Sequence, residues 1–244
     1  MPSDQVFPKL TVVPMGWTHA LDLAQNFFEN LVAESLNIPR EKLLREGLPA
    51  PRANEGVVAV YVDNYIIAAE DKELAEIAFD KVKKSCQAAG LPTHDETRGA
   101  RQLTGLGWLF DGEKSEIRPT AKRVWRFYLA IDYVLAHPQL SSKQLEVLIG
   151  HFTFLALLRR PLLSIMLSVY AFIQKDYRRP RLLWPSIIRE LRWMRATCPL
   201  IVCHLAAPVS GRVVASDASL DGQGVTVAMV APDEAAEALR FPEL

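Results

Sequence analysis

Apolar side chains recur at helical spacing in several stretches of the chain. One stripe predicts a helix from about Leu21, and another predicts a helix that Asp71 caps and Gly90 ends. The first stripe is Leu21, Ala24, Phe28 and Val32, and the second is Leu74, Ala78, Val82, Cys86 and Ala89. Further helices are predicted over residues 120–136, 142–158, 161–175 and 185–197, and Ser141 with Gln144 fits a capping box.

Other stretches have the pattern of β-strands. Residues 57–62 form a β-branched run with almost no polar interruption, Asp63-Asn64 follows, and residues 65–69 are again apolar. Because Asp and Asn both tolerate a positive φ, we expect a hairpin whose two-residue turn is Asp63-Asn64 and whose strands are buried. Further strands are predicted over residues 106–110, 116–118, 200–205, 212–218 and 224–230. Together these elements predict an α+β fold.

The composition is that of a globular protein. Of 244 residues 50% are hydrophobic, and 28 basic side chains balance 28 acidic ones. Three cysteines are too few for a disulfide framework and indicate reduced thiols in a reducing compartment. The N-terminal residues lack the pattern of a signal peptide. The uncharged stretch 161–174 is shorter than the ~20 residues of a bilayer span, so we expect a soluble, intracellular protein without a membrane partner.

Charge is distributed unevenly along the chain. Residues 118–200 hold 14 basic and 4 acidic side chains, whereas the segments before and after this block are net acidic. A block of such positive charge attracts polyanions, because each cation placed on a phosphate releases condensed counterions. The arginine pairs Arg159-Arg160 and Arg178-Arg179 are the candidate phosphate contacts. The alternative is an ordinary solvated helical surface.

The predicted hairpin of residues 57–69 carries the main candidate for chemistry. A carboxylate at a tight hairpin tip, as Asp63 would be, is held at a fixed point above an apolar sheet. Mg²⁺ prefers such oxygen ligands and completes its shell with water and substrate phosphates. The alternative is that Asp63-Asn64 serves only as turn chemistry.

Two motifs in this order resemble the palm of a reverse transcriptase, closest to retrotransposon polymerases of the tyrosine-recombinase class. They are Pro14-Met15-Gly16-Trp17 leading into a helix, and Tyr61-Val62-Asp63-Asn64 between two apolar strands. The resemblance implies that Pro14, Met15, Gly16 and Tyr61 line the template and the incoming nucleotide. It also implies that Asp63 is a catalytic ligand of Mg²⁺.

The resemblance extends to later segments. Leu106-Gly107-Trp108-Leu109-Phe110 is similar to a primer-grip hairpin, which implies that Gly107 and Trp108 hold the primer. The basic helices that follow are similar to a thumb and connection. The segment Val213–Ser219 with Gly222 and Gly224 resembles the opening hairpin of a ribonuclease H, which implies a metal-binding, catalytic Asp217. The implied domains are a partial palm (1–118), a basic helical thumb and connection (119–200) and a truncated ribonuclease H-like start (201–244).

The chain departs from the family pattern at the catalytic carboxylates. Two-metal phosphoryl transfer needs several carboxylates around ions ~3.5–4 Å apart. The family's upstream Asp has no counterpart here, since only ten residues precede Thr11, and the second hairpin carboxylate is replaced by neutral Asn64. We therefore expect a fragment of an RNA-directed DNA polymerase that binds primer–template or RNA/DNA hybrid, holds Mg²⁺ weakly or not at all, and is inactive alone. The alternatives are a non-catalytic nucleic-acid-binding protein derived from a polymerase, and an unrelated α+β scaffold.

Overall fold

A computed structural model describes residues 16–52, 55–175, 177–219 and 221–241. The fold is mixed α+β with small antiparallel sheets, as the sequence predicts. The helices are α1 Ala20–Leu36, α2 Lys72–Ala88, α3 Ala121–Ala136, α4 Ser142–Ala156, α5 Leu167–Ile173, α6 Pro185–Thr197 and α7 Pro232–Ala238. The strands are β1 Val57–Tyr61, β2 Asn64–Ala68, β3 Gln102–Gly105, β4 Trp108–Asp111, β5 Glu116–Pro119, β6 Gln139–Leu140, β7 Arg181–Leu182, β8 Cys203–His204, β9 Arg212–Ala218 and β10 Gln223–Met229. Short 3₁₀ segments are Arg40–Lys42, Leu157–Met166 and Cys198–Leu200.

The chain divides into two compact units. The first contains the residues up to Gly99 together with those from Val209 onward, and the second contains Ala100–Pro208. These boundaries differ from the predicted ones at residues 118 and 200. The physical reason is that β5 pairs with β8, through Ile117 and Cys203, so that the hairpin before residue 119 belongs with the helices that follow it.

The first unit is built on the β1–β2 hairpin. Its strands pair antiparallel, and α1 and α2 pack on the face that carries Val58, Val60, Tyr65 and Ile67. The core consists of Phe28, Val32, Ala33, Leu43, Val60, Val82 and Cys86. The Asp71 side chain accepts hydrogen bonds from the first N–H groups of α2, as predicted.

The predicted helical stripes are only partly buried. Leu21 is 67% exposed and Leu74 is 62% exposed, and Ala89 is exposed too. The strands are also less buried than expected, since Val60 is the only buried residue of β1 and β2. The buried members of the two stripes are Phe28 and Val32 of α1 and Val82 and Cys86 of α2, so the core cluster takes in the middle and later turns of each helix and leaves its first turn outside.

The first unit also contains the β9–β10 hairpin and α7. The hairpin forms at the predicted place, with Gln223 opposite Ala218 and Met229 opposite Arg212. The end of α7 is joined to the segment near Ala50: the Ala50 N–H donates to the Arg240 carbonyl at 2.6 Å, and the Arg240 Nε donates to the Ala50 carbonyl at 2.8 Å. These bonds connect the last described residues to the loop before β1.

Helices α3 to α6 form the core of the second unit. Its largest fully buried side chains are Ile131, Leu145, Phe152, Leu155, Met166, Phe172, Ile187, Leu191, Met194 and Ile201. The predicted capping box is present, because Ser141 accepts from the Gln144 N–H and the Gln144 side chain accepts from the Ser141 N–H. The Glu190 carboxylate of α6 accepts the backbone N–H groups of Ser168 and Val169, at 2.8 and 2.9 Å, and so satisfies the first turn of α5.

Three predictions in this unit are wrong in detail. The helix expected over residues 161–175 is a 3₁₀ segment to Met166 followed by the short α5, and the strand expected over 200–205 is reduced to β8. The strand expected from Leu106 begins at Trp108, because Leu106-Gly107 is a turn. Both turn residues have a positive φ (52° and 84°), which reverses the chain between β4 and an unpredicted strand, β3. The predicted β4–β5 hairpin is present.

One stretch of the described residues, Ser142–Ile173, has the length and apolar composition of a membrane-crossing helix. It is interrupted at Arg159, whose backbone leaves the helical region (φ −141°, ψ 67°). It also supplies fully buried core residues, including Phe152 and Phe172. This arrangement is compatible with a soluble protein, and the intracellular location stays a prediction.

Candidate functional site at the tip of the first hairpin

The turn of the β1–β2 hairpin lies one residue earlier than predicted. Tyr61 pairs with Asn64, so the two turn residues are Val62 and Asp63, and Asn64 begins β2. Val62 has φ 54°, an uncommon conformation for a β-branched residue. A residue in such a conformation persists only where its surroundings hold it, at a cost on the order of 1–3 kcal/mol.

The group that holds the turn is the side-chain amide of Gln25 in α1. Its Oε1 accepts the Val62 N–H at 2.6 Å, and its Nε2 donates to the Val60 carbonyl at 3.0 Å. One side chain therefore binds both the end of β1 and the turn that follows it, as a donor to the Val60 carbonyl and as an acceptor from the Val62 N–H. These bonds fix the position of the tip relative to α1.

Gln25 is itself held by a buried carboxylate. Its Nε2 also donates to Glu29 Oε1 at 2.8 Å, and Glu29 is only 3% exposed. Arg40 forms an ion pair with Glu29, and the Arg45 guanidinium lies 3.3 Å from its Oε1. Burial acts to raise the pKa of Glu29, but the hydrogen bonds from Gln25 and Arg40 and the charge of Arg45 outweigh it and lower this pKa. Glu29 therefore stays ionised under the hairpin.

Asp63 and Asn64 lie together at the exposed tip. Asn64 Nδ2 donates to Asp63 Oδ1 at 2.9 Å, and both residues are exposed. Tyr61, opposite Asn64, is 60% exposed and presents its phenol beside the tip. Gly16 is described and has φ 92°, whereas Pro14 and Met15 lie outside the described residues. The tip can thus offer one carboxylate, one amide and one phenol to a ligand.

Asp217 lies in a different sheet. It is an exposed residue of β9 opposite Gly224, and its Oδ1 accepts the Ala218 N–H at 2.9 Å. Asp63 lies in the turn that joins the two strands of the β1–β2 sheet. Among the described residues, no group of three or more His, Cys, Asp or Glu side chains is placed to hold a metal ion. One carboxylate beside an amide does not fit the pair of Mg²⁺ ions of a two-metal site.

The predicted primer-grip residues are used for packing in the second unit. The Trp108 indole stacks on Phe154 with ring centres 4.3 Å apart, and the Arg123 guanidinium lies 4.1 Å from the centre of the Phe154 ring. A Cβ at Gly107 would lie 2.8 Å from Arg123 Nη2, the end of a flexible side chain that can shift, so the positive φ of 84° is what favours glycine there. This turn is fixed against α3 and α4.

The candidate phosphate contacts lie on two segments of the second unit. Arg159 and Arg160 belong to the 3₁₀ segment between α4 and α5, and Arg178 and Arg179 belong to the loop between α5 and β7. All four side chains are exposed. The structure leaves them at the surface, as binding to phosphates requires.

Gln25 and Glu29 are the residues of this site that sequence reasoning misses. They lie four residues apart on α1, which places them on one face, and that face also carries Val32 of the core. A polar pair in the buried stripe is the signal that could have indicated a buried network. Its partners, Arg40 and Arg45, come from the following loop, so the sequence spacing did not reveal them.

Comparison of the sequence with protein-family models finds no match, and a search of curated proteins finds none either. The resemblance to reverse transcriptases therefore rests on the order and spacing of the motifs.

Proposed function

We propose that this chain is derived from a retroelement RNA-directed DNA polymerase, binds primer–template duplex through its basic second unit, and does not catalyse nucleotide transfer alone. The observation that supports the proposal most is the β1–β2 hairpin, with Asp63 exposed at its tip and two helices packed on one face. An unrelated scaffold gives no reason to fix a carboxylate at that point with a buried Gln25–Glu29 network.

Charge supports the binding part of the proposal. The exposed pairs Arg159-Arg160 and Arg178-Arg179 belong to the block of residues 118–200, in which basic side chains outnumber acidic ones by 14 to 4. Phosphate contacts position a duplex and carry little sequence information. Binding is therefore expected to be salt-dependent and tolerant of sequence.

The binding test is a titration of the purified chain with a labelled primer–template duplex at several salt concentrations. With roughly four to six phosphate contacts, the affinity should fall on the order of a hundredfold between ~50 and 200 mM salt. Changing Arg159 and Arg160 to Glu should weaken binding of all sequences, and so should the same change at Arg178 and Arg179. The matched control is Lys81→Glu with Lys84→Glu, which alters the net charge equally on exposed positions of α2 in the first unit. Absence of binding at low salt would favour the unrelated scaffold.

The activity test is primer extension with Mg²⁺ or Mn²⁺. The chain should show no template-dependent extension, because Asp63 is the one carboxylate at the tip and the neighbouring amide of Asn64 is neutral. Asn64→Asp alone should not restore activity, since a site for two dications needs a further carboxylate from another strand. Asp63→Ala should leave duplex affinity unchanged. Measurable extension by the unmodified chain would contradict the assignment of the site.

A further inference from the structure

The β9–β10 hairpin is exposed along its whole length. Each of its strands has seven residues, and every one of them is exposed. The large apolar side chains are 45–77% exposed and are Val213, Val214, Val225, Val227 and Met229. In the part of the chain that the structure describes, this sheet has two strands. A two-stranded hairpin that no helix or further strand covers is marginally stable at best in water. This hairpin would therefore gain stability from a further strand.

Hydrogen bonds at both ends of the hairpin set the direction of the groups along β10. The Ser219 N–H donates to the Gly222 carbonyl, and the Val230 N–H donates to the Gly211 carbonyl, each at 2.8 Å. Because these directions alternate along an antiparallel strand, the even-numbered residues of β10 bond inward to β9. The odd-numbered residues direct their N–H and C=O groups outward: Gln223, Val225, Val227 and Met229.

The two edges of this sheet differ in charge. β9 carries Arg212 and Asp217, and charged side chains on an edge strand hinder pairing with another chain. β10 has the sequence QGVTVAM, without charge or proline, and its register with β9 is uninterrupted. A second β10 would meet this edge without any like-charge contact, so the electrostatics of the edge fit a copy of itself.

We propose that β10 pairs antiparallel with β10 of a second copy of this chain, which forms a symmetric four-stranded sheet. With the two-fold axis at Thr226, Val225 lies opposite Val227 of the second copy and Gln223 lies opposite Met229. All of these residues direct their backbone groups outward, so the register allows about eight N–H···O bonds. The valine pairs extend the apolar face that Val214 begins, and cross-strand β-branched pairs favour this arrangement.

The size of the edge sets the expected affinity. A stable protein interface buries ~800 Å² on each partner, and one seven-residue edge offers less than that. The dimer should therefore be weak, with a dissociation constant on the order of 10–100 µM, and its population should depend on concentration. This inference is independent of nucleic-acid binding, because it concerns only residues 211–230.

The test is sedimentation velocity of the full chain over roughly 1–200 µM. The mass of the unmodified protein should rise with concentration from the 27.3 kDa of the monomer toward twice that value. Val227→Pro removes one outward N–H and leaves the ladder to β9 intact, as proline requires on an edge strand. It should weaken dimerisation at least tenfold. The matched control is Val214→Pro, which removes an outward N–H from β9, and this variant should dimerise like the unmodified chain.

Far-UV circular dichroism establishes that both variants keep the fold. A chain that stays monomeric over the whole range overturns the proposal. Undiminished association of Val227→Pro does so too, since it would show that the apolar faces of the hairpins associate instead of their edges. Loss of association in Val214→Pro alone would assign the contact to β9 and contradict the assignment to β10.

Discussion

The position of the Asp63 tip depends on one side chain of α1, and its removal has a calculable cost. Gln25→Ala deletes the acceptor of the Val62 N–H, the donor to the Val60 carbonyl and a donor to the Glu29 carboxylate. A neutral hydrogen bond contributes about 1 kcal/mol and one to a charged group about 1.5–3 kcal/mol. The three bonds share one side chain and water replaces some of them at the tip, so we expect a loss of about 2–3 kcal/mol.

The loss should be concentrated in the hairpin. Without Gln25 only the strand pairing opposes the relaxation of Val62 from its positive φ, so the tip should open more often than the rest of the unit. Amide hydrogen exchange followed by mass spectrometry reports this directly. A loss of about 2 kcal/mol corresponds to roughly thirtyfold faster exchange of peptides that cover residues 57–68.

The adjacent residue provides the control. Asn26 lies on the same helix, but its amide bonds are exposed, one to the Asp22 carbonyl at 2.8 Å and one from Arg40 at 2.9 Å. Asn26→Ala should cost about 0.5–1 kcal/mol and leave exchange of the hairpin nearly unchanged. Equal exchange of residues 57–68 in Gln25→Ala and in the unmodified chain would refute the argument that this amide holds the turn.

Four further results follow from groups buried in the two units. Burial raises the pKa of Tyr65 to about 12, and its hydroxyl has no hydrogen-bond partner among the described residues. Tyr65→Phe should therefore leave the free energy of unfolding in urea unchanged or raise it by up to about 1 kcal/mol. A loss of stability would show that the hydroxyl has a partner. Glu190→Ala leaves two backbone N–H groups at the start of α5 without acceptors and should cost about 2–3 kcal/mol in the same assay, with Glu190→Gln less damaging. Burial raises the pKa of Cys198 to about 11, so a thiol reagent should label the half-buried Cys203 of the native protein well before Cys198, and equal rates would contradict this. Because the pKa of Glu29 is lowered in the folded state, its carboxylate stabilises the fold above the ordinary pKa of 4.5, and this contribution is lost as the pH falls through the lowered value. In acid denaturation, the Glu29→Gln variant should lack this loss of stability.

Local signals in the sequence predict most of the elements but not the details that depend on distant residues. The helix expected over 185–197 is found at those bounds, because proline at its first position is a local feature. The turn expected at Asp63-Asn64 is wrong by one residue. The turn that forms contains Val62, whose N–H binds Gln25, a residue that lies 37 positions earlier and contacts Val62 only in the folded chain.

In the candidate site too, the sequence predicts local features but not the contacts between residues that are distant in the chain. The exposed carboxylate of Asp63 could be predicted, since a polar pair between two apolar runs is a local pattern. The ionised Glu29 that binds Gln25 could not, because its partners Arg40 and Arg45 come from the segment after α1. The stacking of Trp108 on Phe154 could not be predicted either, because Phe154 belongs to α4 and is distant from Trp108 in the sequence; the contact of Trp108 with a primer stays a prediction.

The two hairpins of the first unit show that strand pairing depends on the sequence of the strands, whereas burial depends on the elements that pack on them. Residues 57–68 and residues 212–229 both have strands rich in β-branched residues, and both form antiparallel pairs close to the predicted bounds. The first is covered on one face by α1 and α2, whereas the second is exposed on both faces. Backbone pairing follows from the local pattern, but burial requires helices of matching apolar stripe, which the chain provides for β1 and β2. The uncharged edge of β10 is therefore a place in the first unit where a further strand would add stability, and a second copy of the chain carries a strand that fits it.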